Sequence, residues 1–328
     1  MGKLIRKATG LTVGVATLLA GLVLPMTASA ESASPIDASP IIHYSFDNAL
    51  TSKTIANEGS AANSDATLSG DATVANGQIS LTGSQTISVP TTAIAGKKDV
   101  TVSIWLKNNY GNGNTAAAYI GAAKTGNYPA NGYWLLNPAN PSGYAKSVMT
   151  NATVADPDNS PWGTEVGPGS TNAATTGTKA TSDLALYTTV ISGTNSTMSF
   201  YLNGKQVGDV TYTIPAGGLT NYGDLVAYIG KSSYADPNSK LDVDDYAVYD
   251  TAISAADVTK LYDAQVLDKA EAAVKAAVPA SATEDFALPT SAAGVSIAWK
   301  SDNAAIAVDN ATGKAQSLVR PQPQLMPR

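Results

Sequence analysis

The chain has 328 residues, a formal net charge of −6, one histidine (His43) and no cysteine. Because zinc is usually held by Cys and His side chains, a structural zinc site is disfavoured. His43 is also the one histidine that could act as the base for a serine nucleophile. The acidic balance argues against nucleic acid and anionic membranes as partners. Asp and Asn oxygens are plentiful, so any bound metal should be calcium-like.

Residues 1–30 have the pattern of a secretory signal peptide. Lys3, Arg6 and Lys7 form a basic start, an apolar run follows at 11–24, and Ala28-Ser29-Ala30 fits an A-x-A cleavage site. The apolar run is too short to span a bilayer. We therefore expect a secreted mature chain that begins at Glu31, carries a formal charge of −9 after losing three cations, and contacts no membrane after cleavage.

Short alternating apolar segments fill the chain after a Ser/Ala/Pro linker at 31–40 and predict one all-β sandwich. Asn203-Gly204 between two of these segments is typical of a two-residue hairpin. The predicted strands are Ile41–Phe46, Gln78–Leu81, Thr86–Val89, Val100–Lys107, Ala116–Gly121, Tyr133–Leu136, Ala145–Met149, Leu186–Ile191, Met198–Leu202, Val207–Tyr212, Leu225–Ile229 and Leu241–Tyr249.

The last predicted strand, LDVDDYAVY, carries an unusual cluster of carboxylates. Strict alternation would place Leu241, Val243 and Asp245 on one face, with Asp242 and Asp244 on the other. Strand interiors disfavour Asp, so this strand should lie at an edge or beside a cation. A turn then leads into a short helix, for which Ser254 is the expected N-cap, with Asp257 at the capping-box position.

The C-terminal part differs in composition. An alanine-rich helical run is expected at 263–278, ended by Pro279, and three or four short strands follow before 320. The final segment 321–328, PQPQLMPR, shows no apolar alternation. We interpret this region as a partial β module, consistent with a truncated or frameshifted reading frame.

The segments IIHYSFDN, DVTVSIWLKNN, MSFYLNGKQVG, LVAYIGKS and LDVDDYAVYDTAISAADVTKLYD, in this order, resemble the laminin-G-like domains of the concanavalin-A-like jelly-roll superfamily over residues 41–265. Residues 266–320, with FALPT, SIAWKSDN and VRP, resemble part of an atrophied bacterial immunoglobulin-like domain, with Trp299 at the core-strand position. The resemblance implies a jelly-roll sandwich, a short helical linker and a partial immunoglobulin-like module. Such modules accompany secreted bacterial family 43 glycoside hydrolases, whose catalytic propeller is missing from this chain.

Calcium is the cofactor that the resemblance implies. In related domains, a carboxylate after the first strand and the acidic end of the last strand share one calcium ion. The matching residues here are Asp47 and the cluster Asp242, Asp244 and Asp245. The alternative is that these residues are ordinary turn and edge-strand aspartates.

Carbohydrate binding requires flat aromatic rings for sugar faces and amide or carboxylate groups for hydroxyls. The predicted loops offer Tyr110, Tyr128, Tyr144 and Trp162, and Trp162 lies in the long Asn151–Thr181 loop, whose neighbours are poor strand formers. The alternative is a tryptophan that only anchors this loop. Trp105 and Trp134 are expected in the core.

Three functions are compatible with these residues and segments. The main hypothesis is a secreted non-catalytic carbohydrate-binding module of an extracellular hydrolase acting on arabinan- or xylan-type polysaccharide. A structural or protein-interaction spacer is the alternative, and an exposed apolar patch would favour it. A cryptic glycosidase is the third, although only Glu58 and Glu165 occur in the sandwich and the E-x-D-x-x-E spacing is absent.

Overall fold

The computed structural model describes residues 13–14, 36–125, 128–129, 132–150, 161–277, 285–292, 295–299 and 306–317. The chain divides into two compact units. One unit is Ser34–Tyr262, and the other combines Met1–Ala33 with Asp263–Arg328. Apart from Val13–Gly14, the predicted signal peptide lies outside the described residues.

Antiparallel strands dominate the Ser34–Tyr262 unit, and all twelve predicted strands overlap observed ones. Three short strands between 54 and 75 were missed, because segments of two to four residues are too short to show a period. The strands of this unit are β2 (Ile42–Tyr44), β3 (Thr54–Ile55), β4 (Ala66–Ser69), β5 (Thr73–Ala75), β6 (Gln78–Thr82), β7 (Thr86–Val89), β8 (Asp99–Asn108), β9 (Ala118–Ala122), β10 (Lys124–Thr125), β11 (Tyr128–Pro129), β12 (Tyr133–Asn137), β13 (Lys146–Thr150), β14 (Glu165–Val166), β15 (Ala185–Ser192), β16 (Thr197–Leu202), β17 (Lys205–Thr213), β18 (Leu225–Ile229) and β19 (Lys240–Tyr249).

Two eight-stranded sheets form the sandwich. Sheet I has the order β14-β13-β12-β9-β18-β7-β4-β3, and sheet II has the order β17-β16-β15-β8-β19-β6-β5, with β2 also paired to β19. One continuous apolar core takes side chains from both sheets, including Trp134 and Leu136 of sheet I and Tyr187 and Phe200 of sheet II. The predicted all-β sandwich is therefore confirmed.

A β-bulge corrects the predicted alternation in β19. The strand pairs Val243 with Leu106 but Tyr246 with Ile104, so β19 has one more residue than β8 between these pairs. Consequently Leu241, Val243, Tyr246 and Val248 all join the core, although strict alternation had placed Tyr246 and Val248 opposite Leu241. The bulge lies where β19 changes its second neighbour from β6 to β2, so this strand is central and not at an edge.

Local sequence signals set the ends of two elements. The hairpin between β16 and β17 turns through Asn203 and Gly204, whose φ angles are +51° and +72°, as a type I′ turn requires. Helix α1 (Ala255–Ala277) begins after Ser254, whose Oγ accepts the Asp257 N–H at 3.1 Å. The expected N-cap is confirmed, but the predicted short helix and the alanine-rich run form one helix.

The strands of the second unit are β1 (Val13–Gly14), β20 (Phe286–Ala287), β21 (Ser291–Ala292), β22 (Val295–Ala298), β23 (Ile306–Asp309) and β24 (Lys314–Ser317). They form two small sheets, of order β1-β22-β21 and β20-β24-β23. Trp299 is buried beside Leu288, Ile297 and Ala315. The immunoglobulin-like assignment stays a prediction.

Within the described residues, no helix combines the length and the apolar character needed to cross a bilayer.

Gly204 offers a test of how the hairpin packs. A Cβ built there would lie 2.9 Å from Tyr262 Cβ, and its φ of +72° disfavours other residues. Gly208 has the same φ, but the nearest atom to its built Cβ is 3.9 Å away. We expect Gly204→Ala to lower the free energy of unfolding, measured with urea, by at least ~1 kcal/mol more than Gly208→Ala. Equal losses would show that only the backbone angle matters.

Candidate functional site

A cavity of about 690 Å³ opens beside β12 and β13 of sheet I. Strand residues form its floor, and residues of the 161–174 and 234–236 loops form its walls. The lining residues are Asn114, Thr115, Tyr133, Leu135, Asn137, Asn140, Pro141, Ser142, Lys146, Trp162, Glu165, Gly169, Ser170, Thr171, Ala174, Tyr234, Ala235 and Asp236.

The alternation of β12 places the cavity on the outer face of sheet I. Trp134 and Leu136 join the core between the sheets, whereas Tyr133 and Leu135 belong to a separate apolar cluster. Because successive side chains of a strand point to opposite faces, the second cluster lies on the face away from sheet II. Tyr234 packs against this cluster.

Aromatic rings form one continuous set of contacts along this face. The Trp162 ring meets the Tyr234 ring edge-on at a centroid distance of 5.9 Å, and Tyr234 meets Tyr133 at 5.4 Å and 90°. Tyr133 in turn stacks on Tyr119 at 5.8 Å. Trp162 and Tyr234 are partly exposed, while Tyr133 and Tyr119 are buried. The cavity therefore presents two accessible rings held by rigid partners.

Glu165 is a buried charge that joins strands and loop. Its side chain is 1% exposed and lies 2.8 Å from Lys146 Nζ. Tyr133 donates its hydroxyl to Oε1 at 2.7 Å, and the Thr171 N–H and hydroxyl both donate to Oε2 at 3.0 Å. Burial, together with the nearby Glu165 charge, raises the pKa of Tyr133 well above its usual value. Four donors thus compensate the carboxylate for lost water.

Asp236 provides a second carboxylate at the cavity. It is an exposed residue, yet partial desolvation raises the pKa of its carboxyl group, and the Lys146 charge opposes this shift. Burial likewise raises the pKa of the neighbouring Tyr234 far above its ordinary value, so this phenol stays protonated at physiological pH. The cavity wall therefore offers the exposed Asp236 carboxylate as a hydrogen-bond acceptor, while the Tyr234 hydroxyl is buried and the cavity meets only part of its ring.

The structure brings one of the four predicted sugar-binding residues to the cavity. Trp162 lines it, whereas Tyr110 and Tyr144 are not among the lining residues. The Lys179 Nζ lies 3.8 Å from the centroid of the Tyr144 ring. The Tyr128 side chain lies outside the described residues. The roles of all four residues in sugar binding stay predictions.

The predicted calcium ligands have varied partners. Asp242 accepts from Ser80 Oγ at 2.7 Å and from Asn109 Nδ2 at 2.8 Å. Asp245 lies 2.8 Å from His43 Nε2, so the histidine on β2 is paired with a carboxylate of β19. In the described parts of the chain, no group of three or more His, Cys, Asp or Glu residues is arranged to hold a metal. The assignment of Asp47, Asp242, Asp244 and Asp245 as calcium ligands stays a prediction.

Sequence reasoning missed Tyr133, Tyr234, Lys146 and Asp236, and considered Glu165 only in weighing the glycosidase hypothesis. Tyr133 lies in a continuously apolar strand segment, a pattern that by itself predicts burial between the two sheets. A strand buried on both faces gives this pattern, which was the available signal. Nothing local marks Tyr234, because its partners Tyr133 and Trp162 are distant in sequence.

The ion pair between Lys146 and Glu165 can be tested by substitution. We expect Glu165→Ala to lower the free energy of unfolding by ~3–5 kcal/mol, since it leaves a largely buried Lys146 without its counter-charge. The double variant Lys146→Met/Glu165→Met should lose less than Glu165→Ala alone, because no charge stays uncompensated. Urea unfolding would check both. Equal losses would contradict the argument.

The comparisons with known proteins assign a family to the sandwich. Residues 81–259, more than half of the chain, match the model described as the Concanavalin A-like lectin/glucanases superfamily. No curated protein gives a significant match.

Several solved structures have a similar fold at a sequence identity of 20% or less. Domain 4 of AbnA, a GH43 extracellular arabinanase from Geobacillus stearothermophilus solved with arabinotriose, is 20% identical, with a TM-score of 0.47; the match covers 69% of this chain and 98% of that domain. The receptor-binding domain of botulinum neurotoxin mosaic serotype C/D is 17% identical, with a TM-score of 0.46 and coverages of 71% and 52%. A Trypanosoma rangeli sialidase is 11% identical, with a TM-score of 0.44 and coverages of 69% and 33%.

The family assignment rests on the match to the family model. That model spans β6 to the first turn of α1, with β19 and its bulge included. The two-sheet antiparallel sandwich is the architecture expected of the family. This chain belongs to the Concanavalin A-like lectin/glucanases superfamily and has its jelly-roll fold.

Proposed function

We propose that the Ser34–Tyr262 unit is a non-catalytic carbohydrate-binding module of a secreted protein, and that the cavity on sheet I is its glycan site. One observation carries this proposal. The cavity combines two partly exposed aromatic rings, Trp162 and Tyr234, with amide, hydroxyl and carboxylate groups of Asn114, Ser142 and Asp236.

The chemistry of a sugar matches this combination. A pyranose or furanose ring has an apolar face of C–H groups and an edge of hydroxyls, so it needs a flat apolar partner and several hydrogen-bonding groups. Pockets for small ligands have volumes of roughly 300–1,000 Å³ and few polar groups. The cavity, at about 690 Å³, falls within this range.

Glu165 favours binding over catalysis. A glycosidase needs one carboxylate as an acid and a second as a nucleophile or base that can reach the sugar or a water molecule. Asp236 and Glu165 line the same cavity, but the Glu165 side chain is 1% exposed and both its oxygens already accept hydrogen bonds. Its geometry suits a structural anion that holds the cavity wall.

A spacer role has less support. Packing against a neighbouring domain would call for an exposed apolar patch, and among the described residues Val210, 44% exposed, is the one large hydrophobic residue that is exposed. The resemblance of the five sequence segments supports a place for this module in a secreted hydrolase of arabinan- or xylan-type polysaccharide. Arabinan and arabinoxylan therefore come first in the binding experiments.

Trp162 is the residue whose removal tests the proposal. We expect isothermal titration against a panel of arabinan, arabinoxylan and other plant glycans to give binding for the native chain and a loss of about fivefold or more for Trp162→Ala. The bound sugar would lose an aromatic contact worth ~0.5–1.5 kcal/mol in addition to its buried apolar area. Tyr212→Ala is the matched control, since Tyr212 is a partly exposed aromatic residue on β17 of sheet II.

Three outcomes of this titration would contradict the proposed site or the proposed function. Binding that survives Trp162→Ala unchanged would remove the cavity as the site, while equal losses for Trp162→Ala and Tyr212→Ala would indicate general destabilisation. No binding to any glycan of the panel would overturn the proposed function.

Calcium binding is a separate proposal, with Asp47 and Asp244 as ligands. Tyr44 pairs with Tyr246 in the antiparallel β2–β19 ladder, so the chain after β2 runs towards the bulge of β19. Asp47 Oδ1 also lies 3.3 Å from a Cβ built on Gly77, just before β6, the other neighbour of β19. Asp47 and Asp244 therefore occupy the same region, and calcium accepts carboxylate, carbonyl and water oxygens together.

Thermal unfolding would test this proposal. We expect a higher midpoint in calcium than in chelator, because an ion bound only to the folded state stabilises it. Asp47→Asn should abolish the calcium-dependent shift, and Asp209→Asn, an exposed aspartate on β17, should keep it. An identical midpoint with calcium and with chelator would show that these carboxylates are not a calcium site.

A further inference from the structure

We infer that the cavity selects uncharged glycans and rejects those that carry carboxylate or sulfate groups, with Asp236 as the residue that sets this selectivity. This inference rests on the proposed function, because it names the class of glycan that the same site accepts. It follows from the charges around the cavity and from the arrangement of the basic side chains.

The charged groups of the cavity are few. Lys146, Glu165 and Asp236 are the charged residues among those that line it. The Lys146 ammonium lies 2.8 Å from Glu165 Oε2, and the side chains are 13% and 1% exposed. This pair is neutral as a unit, so Asp236 leaves the described lining with one net negative charge.

Lys146 is poorly placed to receive an anionic sugar. To bind a ligand carboxylate it would have to share or leave Glu165, which would then be a buried charge with only the Tyr133 and Thr171 donors. Breaking a buried ion pair in this way is costly. The Lys146 charge is therefore neutralised by Glu165 and does not attract an anionic ligand.

The sandwich also lacks the side chain best suited to anionic groups. The three arginines of the chain are Arg6, Arg320 and Arg328, so none occurs in residues 34–262. Arginine is the residue that holds carboxylate and sulfate through two parallel hydrogen bonds. Two lysines near sheet I, Lys179 and Lys231, lie over the rings of Tyr144 and Tyr228 and are not among the lining residues.

Asp236 also repels an incoming anion directly. Its carboxylate is exposed and lines the cavity, so a ligand anion bound there would lie close to a like charge. A ligand carboxylate close to Asp236 would therefore bind more weakly than an uncharged group of the same size. A hydroxyl of a neutral sugar could instead donate to Asp236, which turns the same charge into an attractive contact.

The test uses one glycan in two charge forms. A neutral glycan that the native chain binds in the panel would be prepared as its hydroxyethyl and its carboxymethyl derivative at matched substitution. At low ionic strength we expect the carboxymethyl form to bind about fivefold more weakly, the size of one like-charge contact in a wet site. Added salt should reduce this difference.

Substitutions then identify the responsible residue. Asp236→Asn should bring the two affinities together, and Asp236→Lys should reverse their order. Asp209→Asn, an exposed aspartate on sheet II, should leave the difference unchanged.

Equal or tighter binding of the carboxymethyl form by the native chain would overturn this inference and leave the proposed function intact. A difference that persists in Asp236→Asn would also overturn it, because another group would then set the selectivity. No binding of any glycan, neutral or acidic, would overturn the proposed function and this inference with it.

Discussion

Sheet I must be covered on both of its faces around β12, and the candidate site depends on that requirement. Trp134 and Leu136 fill the core between the sheets, while Tyr133 and Leu135 form an apolar surface on the opposite face. That surface cannot be left to water without losing about 25 cal/mol for each Å² of apolar area. The 161–174 and 234–236 loops cover it incompletely, and the cavity is the space that they leave.

The Glu165 carboxylate fixes the position of this cover. It receives donors from β12, β13 and the loop that follows β14, through Tyr133, Lys146 and Thr171. A buried carboxylate is costly unless all its partners are in place, so the arrangement tolerates few alternatives. This rigidity is what a glycan site needs, since rings held in place by packed neighbours lose little entropy when a ligand binds.

The two sheets of the sandwich have different roles. In sheet II, β19 runs through the centre, and its bulge allows β6 and β2 to share one edge of the same strand. The contact between His43 and Asp245 at 2.8 Å joins the first strand of the sandwich to this last strand. Sheet II thus joins the first and last strands of the sandwich, and the outer face of sheet I forms the floor of the cavity beneath the partly exposed rings of Trp162 and Tyr234.

The sequence by itself determined the sandwich, its principal strands, the Asn203-Gly204 turn and the Ser254 cap, because alternation and turn chemistry are local signals. It also selected Trp162, which lies among poor strand formers. Only the tertiary structure decided the bulge in β19, which a period of two cannot reveal, and the convergence of Tyr133, Glu165 and Tyr234 on one cavity. Those side chains come from strands and loops far apart along the chain, so their meeting depends on sheet order and register, which short-range patterns do not encode.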